Sequence, residues 1–204
     1  QNRILQSKVY LDEATGLPNK NKCEEILNAP DLLSAQDAVA ICVFDLNNLR
    51  NINNNLGHDK GDEYIRSFAV QLRIAVADEY FVGRDGGDEF IAVLKNVTRM
   101  QVEECLRDIR EQAAKYSKEY PEMPISYAVG YAMSQDFEQS TMRELFRYAD
   151  KNMYIDKNRA KMEEAAEEKR MNQRLLAKVK EMGYQFSDCL YCDVFMDQYR
   201  VLRA

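Results

Sequence analysis

The stretch Arg84-Asp85-Gly86-Gly87-Asp88-Glu89-Phe90 places two glycines directly before two carboxylates, between the apolar runs 80–82 and 90–94. Short apolar runs joined through Gly-Gly predict a β-hairpin with a tight turn. We expect the two glycines to adopt positive φ angles and to leave room for a phosphate beside the backbone. The adjacent acids are oxygen ligands of the kind that divalent cations prefer. The pattern favours nucleotide chemistry, although an ordinary hairpin with solvated acids would use the same residues.

Composition bounds the class of protein. The chain has 204 residues, 46% hydrophobic and 30% charged, which suits one sizeable globular domain with an appendage. The net charge of −6 and the pI near 5.0 argue against a nucleic-acid polymer as a partner. They do not exclude a single nucleotide, because a bound metal ion reverses the local field. No apolar run reaches the roughly 20 residues that a membrane-spanning helix needs.

The cysteines indicate the redox setting. Five cysteines form an odd set, which predicts reduced thiols and a cytoplasmic domain. Cys189 and Cys192 form a lone C-x-x-C, which is either half of a zinc site, a redox pair or two small apolar residues on a helix face. We favour the last interpretation because the sequence has no second Cys or His pair. Since the chain begins with Gln1 rather than Met, we expect a piece of a longer protein, with any sensor or membrane anchor before residue 1.

Hydrophobic periodicity predicts the element order α-β-α-β-β-α-β-α. The predicted elements are a helix over 20–27, a strand over 38–46, a helix over 63–72, the hairpin, a helix over 97–116, a strand over 124–133 and a helix over 141–158. This order predicts an α/β fold, of the α+β sandwich type. We expect a central mixed, largely antiparallel sheet of about five strands, flanked by helices.

Both ends of the chain differ from this pattern. Residues 1–11 are predicted to be the end of a connecting helix, and residues 162–204 a helical C-terminal extension. After the charged run 163–170, the extension carries two apolar stripes at helical spacing: Met171, Leu175, Val179 and Met182, then Phe186, Leu190, Phe195, Met196 and Tyr199. We expect the extension to dock on the domain, a partner chain or an adjoining domain, rather than to form a separate functional module.

Separated segments in a fixed order carry the strongest signal. They are Asp12–Asn19, Phe44–Asp62, Arg84–Phe90, Ser126–Ala132 and Ala149–Lys161. Together they resemble the GGDEF domain of diguanylate cyclases, which join two GTP molecules into cyclic di-GMP. The resemblance covers residues 12–161, which we interpret as the catalytic domain. It implies a fold similar to that of nucleotide cyclases and polymerase palm domains.

The resemblance also implies a site. Its metal would be Mg²⁺, two ions per GTP with Mn²⁺ as a substitute, held by Asp45, the Leu46 carbonyl, Asp88 and Glu89. Catalytic roles are implied for Asp88, Glu89 and Lys157, with Glu89 either assisting proton removal or holding the second ion. The implied substrate-binding residues are Asn48, Arg50, Asn53, His58, Asp62, Gly86, Gly87, Lys157 and Lys161. Asn53 and Asp62 match the guanine-binding positions, and an amide with a carboxylate suits the guanine edge.

The chain departs from the family pattern at several positions, among them Arg50 in place of a lysine and Lys161 in place of an arginine. Asn47 and Asn54 stand where aspartates are frequent, which we expect to matter little. Many members carry Arg-x-x-Asp before the signature, as a site of inhibition by cyclic di-GMP. Here Ala77 and Tyr80 occupy the arginine and aspartate positions. We therefore predict no product inhibition through this site.

The leading hypothesis is an active cyclase in which two copies of the domain each present one GTP across a two-fold interface. Proximity of the two copies would then set the rate. One alternative is a catalytically weak or inactive domain that binds GTP as a regulatory module. Another is a different nucleotide cyclase or dinucleotide synthase on the same fold.

Overall fold

The computed structural model describes residues 9–181, apart from the side chains of residues 179 and 180. The helices are α1 (Lys20–Leu27), α2 (Leu49–Leu56), α3 (His58–Ala75), α4 (Arg99–Glu119) and α5 (Met142–Glu181). The strands are β1 (Leu33–Ser34), β2 (Ala40–Leu46), β3 (Phe81–Arg84), β4 (Glu89–Leu94), β5 (Tyr127–Met133) and β6 (Gln139–Ser140). The chain divides into two compact units after Arg159.

The main sheet has the strand order β3-β4-β2-β5, and each neighbouring pair is antiparallel. Every residue of the central strand β2 is buried, as its continuous apolar run predicts. The expected α/β fold is confirmed, with an antiparallel sheet, flanking helices and a long C-terminal helix. The main sheet has four strands where about five were expected, and its described strands include no parallel pair. The short strands β1 and β6 pair with each other in a separate sheet instead.

The main sheet has a core on each face. Alternate side chains of β2 point to opposite sides, since a strand has a period of two residues. Phe44 packs on one side with Phe68 of α3, at 6.2 Å between ring centroids. Val43 packs on the other side, in the cluster that contains Leu145 of α5. By the same alternation, Asp45 lies on the α5 side.

The segment after β2 differs from expectation. The sequence predicts a helix only from residue 63, yet α2 covers Leu49–Leu56 and α3 already begins at His58. Asparagine is a weak helix former, so the local sequence of α2 gives little helical signal. Leu49 and Ile52 of this segment pack against the core, and this tertiary contact outweighs the weak propensity.

The last helix is longer than predicted, because α5 includes both the predicted helix over 141–158 and the charged run 163–170. Met171 and Leu175 are exposed at 64% and 53%. The rest of the first apolar stripe, the second stripe, Cys189 and Cys192 lie outside the described residues or side chains, as does most of the predicted connecting helix. Docking of the extension stays a prediction. Among the described helices, none is long and apolar enough to cross a membrane.

Candidate active site

Two predicted metal ligands lie opposite each other on neighbouring strands. Asp45 pairs with Glu89 in the β2–β4 register, and residues so paired have Cβ atoms about 5 Å apart. Beside them, the Leu46 N–H donates to the Asp88 carbonyl at 2.9 Å, which holds Asp88 next to the end of β2. Like charges directly opposite each other destabilise a sheet. The fold therefore concentrates carboxylates here at a cost in stability, as expected of a cation site.

The environment of Glu89 reflects this concentration. Partial burial of the carboxyl group raises the pKa of Glu89, and the neighbouring carboxylates of Asp88, Asp85, Asp45 and Asp150 raise it further. Each of these carboxylates disfavours a further negative charge nearby. A cation bound among them would offset the repulsion.

A cationic side chain contacts the cluster. Lys157 of α5 donates from Nζ to Asp45 Oδ1 at 2.6 Å, and the two side chains are 27% and 10% exposed. Lys157 reaches this place because α5 lies directly on β5 at Gly130. A Cβ atom on Gly130 would lie 2.0 Å from the Met153 backbone nitrogen, so only glycine permits this approach.

The helix α5 also closes the free edge of β5. The Asp156 carboxylate accepts a hydrogen bond from the Val129 N–H at 3.1 Å. Asn152 Nδ2 donates to the Tyr131 carbonyl at 2.9 Å. Edge groups satisfied in this way cannot pair with another strand. The same contacts fix the position of α5, and hence of Lys157, along the strand.

The connection between β3 and β4 differs from the tight turn that was expected. Neither Gly86 nor Gly87 has a positive φ, so the expectation of left-handed glycines was wrong. Residues 85–88 form a longer connection, which needs no such angles. A Cβ atom on Gly86 would lie 2.8 Å from Glu89 Oε2, whereas one on Gly87 would meet nothing within 4 Å. The backbone at Gly87 is therefore open to an approaching group such as a phosphate.

Arg84 holds this connection, a role that the sequence analysis missed. Its Nε donates to the Gly86 carbonyl at 3.1 Å and its Nη2 to the Gly87 carbonyl at 2.8 Å. Its Nη1 lies 3.0 and 3.1 Å from the two carboxylate oxygens of Asp12. The first motif and the glycine connection are thus joined by one side chain. The presence of both residues in motifs of the same family was the available signal.

Hydrogen bonds from Thr15 hold the Asp12 carboxylate in position. Its Oδ1 accepts hydrogen bonds from the Thr15 N–H at 2.9 Å and the Thr15 hydroxyl at 2.7 Å. Burial by itself raises the pKa of Asp12, but the hydrogen bonds from Thr15 and Arg84 and the Arg84 charge together hold that pKa below its ordinary value. Asp12 therefore pairs with Arg84 as a carboxylate down to acidic pH.

The predicted guanine-binding residues lie on the two helices after β2. Asn53 of α2 is half-buried and Asp62 of α3 is exposed. Within residues 9–178, no protein group hydrogen-bonds to either side chain, which leaves both free for a ligand. The start of this segment is tied to the sheet, because the Asn47 N–H and Nδ2 donate to the carbonyl and hydroxyl of Ser126 at 2.8 and 3.1 Å.

The other predicted substrate residues are more scattered. Asn48 precedes α2 with a φ of 64°, Arg50 lies in the first turn of α2, and His58 begins α3. All three are exposed, and in the described part of the chain no side-chain hydrogen bond or ion pair joins them to the acidic cluster. Lys161 belongs to the second unit, so its contact with a triphosphate stays a prediction.

The acids suit a cation that arrives with its nucleotide. Residues 9–178 contain no group of three or more acidic, cysteine or histidine side chains arranged to hold a metal ion alone. Magnesium is usually held by one or two carboxylates together with substrate phosphates. Asp45, Asp88 and the Leu46 carbonyl offer oxygen donors of this chemical kind, and strand pairing and the hydrogen bond from Leu46 to Asp88 bring the three residues near one another.

An antiparallel sheet flanked by helices, with a long C-terminal helix, is the α/β architecture of GGDEF domains. The family model of the diguanylate cyclase GGDEF domain matches residues 9–163. The chain belongs to the GGDEF domain family.

Named relatives share this domain. The chain is 28% identical over 155 residues to an uncharacterized membrane protein of Staphylococcus saprophyticus, covering 72% of this chain and 43% of that protein. It is 26% identical over 165 residues to the cyclic di-GMP phosphodiesterase PdeR of Escherichia coli, covering 80% and 25%. The chain thus spans less than half the length of these curated relatives.

Solved structures show the same fold. The GGDEF domain of DgcB from Caulobacter crescentus, in complex with c-di-GMP, matches with a TM-score of 0.61 at 21% identity, covering 73% of this chain and 90% of that one. An EAL/GGDEF domain protein from M. capsulatus matches with a TM-score of 0.55 at 29% identity, covering 67% and 88%. At 21% identity, the first similarity supports the fold alone.

Proposed function

We propose that this chain is a diguanylate cyclase domain, which condenses two GTP molecules into cyclic di-GMP and releases two pyrophosphates. Membership of the GGDEF family supports the reaction class. The observation that carries the proposal is the pairing of Asp45 with Glu89, with Asp88 beside them and Lys157 in contact with Asp45. This pairing brings carboxylates and the ammonium group of Lys157 together where the proposed nucleotide-binding segment begins.

The acids would hold Mg²⁺, two ions per GTP, with Mn²⁺ as a substitute. Asp45, Asp88 and the Leu46 carbonyl are the proposed ligands. Bound there, Mg²⁺ neutralises negative charge on the α-phosphate and the departing pyrophosphate. Glu89 either adds a ligand or assists removal of the proton from the attacking hydroxyl. Lys157 adds a positive charge directed at the same phosphates.

The reaction consists of two equivalent steps. The 3′-hydroxyl of one GTP attacks the α-phosphorus of the other, and a new P–O bond forms. The bond from that phosphorus to the bridging oxygen breaks, pyrophosphate leaves with the electron pair, and the hydroxyl proton passes to Glu89 or to solvent. A second step with the roles exchanged closes the ring. In this proposal the triphosphate lies against the backbone of Gly86 and Gly87, and the open space beside Gly87 supports that placement.

Guanine recognition falls to Asn53 and Asp62. The amide donates to O6 or N7 of the base, and the carboxylate accepts from N1–H and the 2-amino group. Adenine presents an amino group at C6 and no hydrogen on N1, so it cannot satisfy both residues. The absence of other partners for these two side chains in the described residues supports this assignment. Asn48, Arg50, His58 and Lys161 are the further proposed contacts of the nucleotide.

The active form would be a homodimer, because each domain presents one GTP. We place the domain in the cytoplasm, with a membrane reached only through a segment outside residues 1–204. That relatives of similar sequence are named membrane proteins supports an anchored parent protein. The partners are then GTP and a second copy of the domain, with no nucleic-acid polymer.

We also propose that cyclic di-GMP does not inhibit this domain through the Arg-x-x-Asp site that many family members carry. At the corresponding surface, Ala77 and Tyr80 line a cavity of about 200 Å³ together with apolar residues such as Leu17 and Val82 and with the charged residues Arg73 and Asp78, which do not stand at the two positions of the motif. Ala77 offers no charge to a phosphate, and Tyr80 offers no carboxylate to a guanine base. We expect added cyclic di-GMP to leave the initial rate unchanged.

To test this proposal, the domain is fused to a parallel leucine zipper so that two copies are held together, and the fusion is incubated with GTP and Mg²⁺. Cyclic di-GMP should form, and Asp88→Ala or Glu89→Ala should abolish it while GTP binding persists. Bound GTP without turnover in the unaltered fusion would support the regulatory module instead. Another dinucleotide would indicate a different synthase, and an active Asp88→Ala variant would contradict the assigned mechanism.

A further inference from the structure

The two helices that carry the guanine-binding residues meet at a glycine. Gly57 separates α2 from α3 with a φ of 89°, an angle that favours glycine. The chain changes direction there, so residues at equal distances before and after Gly57 come together. Asn53 lies four residues before it, and Gly61 lies four residues after it. The Gly57 N–H donates to the Asn53 carbonyl at 3.1 Å, and the Gly61 N–H donates to the Gly57 carbonyl at 3.2 Å.

The Asn53 amide occupies the space that a side chain at position 61 would need. A Cβ atom on Gly61 would lie 1.8 Å from Asn53 Oδ1 and 2.8 Å from Asn53 Cγ. It would also lie 3.3 Å from Leu49 Cδ1, one turn earlier on the same face of α2. Gly61 is buried, so this space is not a surface feature. The missing Cβ atom thus forms a slot that the amide fills.

We propose that Gly61 is a positioning residue for guanine recognition, because its slot holds the Asn53 amide next to Asp62. This inference rests on the proposed function, in which both residues bind the base. The side-chain amide of Asn53 has no hydrogen-bonding partner within residues 9–178, so packing in the slot is what restricts its orientation. An amide fixed before the ligand arrives loses less conformational freedom on binding.

Replacing Gly61 with alanine should separate recognition from folding. Alanine is the better helix former, so the change favours α3 itself. The atom that must move is the far end of a short side chain rather than backbone, so the fold can adapt by turning Asn53 out of the slot. Turned out, the amide no longer meets the guanine edge. The expected result is weaker guanine binding in a domain that stays folded.

The experiment measures binding of the α,β-methylene analogues of GTP and ATP, which block turnover, by calorimetry with Mg²⁺. The variants are Gly61→Ala, Asn53→Ala, the double variant, and Lys60→Ala as a control at an exposed position of the same helix. Gly61→Ala should weaken binding of the GTP analogue about three- to tenfold, the range of one lost hydrogen bond. Binding of the ATP analogue should not change. In the Asn53→Ala background the glycine change should have no further effect, because the slot is empty.

The outcomes separate the two proposals. If the unaltered domain binds both analogues equally, the proposed function fails before Gly61 is tested. If it prefers the GTP analogue and Gly61→Ala keeps that preference in full, the inference about Gly61 is overturned. If Gly61→Ala lowers the melting temperature, the double variant decides. If the melting temperature of the double variant equals that of Asn53→Ala, the loss in Gly61→Ala comes from a clash with the amide, which supports the inference. If the double variant melts as low as Gly61→Ala, Gly61 has a general packing role and the inference is overturned.

Discussion

The two ends of the candidate site are built differently. At the acidic end, Asp45 and Glu89 are fixed by strand register, and Lys157 by the packing of α5 on β5. At the guanine end, Asn53 and Asp62 project from two helices, with no hydrogen-bonding partner among the described residues. The side chains of the first end are tied to the core structure, whereas the proposed guanine-binding side chains make no hydrogen bond to the described residues.

This difference teaches which substitutions affect folding and which affect binding alone. The charged groups that we propose for binding phosphate and metal are positioned by the elements that also form the core. Substitutions that disturb those elements should therefore cost stability as well as activity. The side chains of Asn53 and Asp62 make no hydrogen bond to the described residues, so both should be replaceable without unfolding the domain.

The largest effect is expected at the contact that carries Lys157 to Asp45. Gly130→Ala places a Cβ atom 2.0 Å from the Met153 backbone nitrogen and 2.3 Å from the Ala149 carbonyl oxygen. Backbone atoms on both sides cannot turn away, so α5 must move as a whole. Urea denaturation should show a loss of about 3 kcal/mol or more, at the upper end for overpacking.

Gly87→Ala is the matched control, because a Cβ atom there meets nothing within 4 Å and the φ angle is ordinary. Its effect on the free energy of unfolding should stay within about 0.5 kcal/mol. Equal losses for the two glycine variants would show that the acidic end does not depend on the close packing of α5.

A smaller loss is expected where the first motif meets the glycine connection. Asp12→Asn removes a charge-assisted contact with Arg84, which is 16% exposed, and should cost about 1.5 to 3 kcal/mol at pH 7. Glu25→Gln, which breaks the exposed pair with Lys22, is the control and should leave stability unchanged.

The Asp12 effect should depend on pH. The folded-state pKa of Asp12 is lowered, so its stabilisation is present above the ordinary aspartate value of 3.8 and is lost as the pH falls through the lower folded value. The difference in unfolding free energy between the unaltered domain and Asp12→Asn should therefore be constant from pH 7 to about 5 and shrink below 3.8. A difference that grows in acid would contradict the ion pair.

These contacts also show how far the sequence reaches. The apolar run of β2 and the hairpin signature predict the sheet, and motif order predicts which acids lie at its end. The pair Arg84–Asp12 spans 72 residues, so no local pattern joins the two. The sequence did not predict α2 because asparagine has a low helix propensity, and this helix is stabilised by tertiary packing instead. The close approaches at Gly61 and Gly130 depend on which segment packs against each glycine, and hydrophobic periodicity does not predict that packing.

The smallest effect on stability, and the sharpest on specificity, is expected at Asp62. Asp62→Asn changes an exposed side chain without partners among residues 9–178, so the free energy of unfolding should stay within about 0.5 kcal/mol. The amide cannot accept from both N1–H and the 2-amino group as the carboxylate does, so GTP binding should weaken about tenfold or more. Xanthine carries a carbonyl oxygen at C2, which the new amide can donate to, so the affinity ratio of XTP to GTP should rise.

Asp59→Asn provides the matched control for Asp62→Asn, since it makes the same charge change at another exposed position of α3. It should leave both nucleotide affinities as they are. If both variants weaken GTP binding equally, general electrostatics rather than a directed carboxylate explains the loss. If Asp62→Asn instead unfolds the domain, the guanine end is part of the core structure, and the contrast between the two ends of the site is lost.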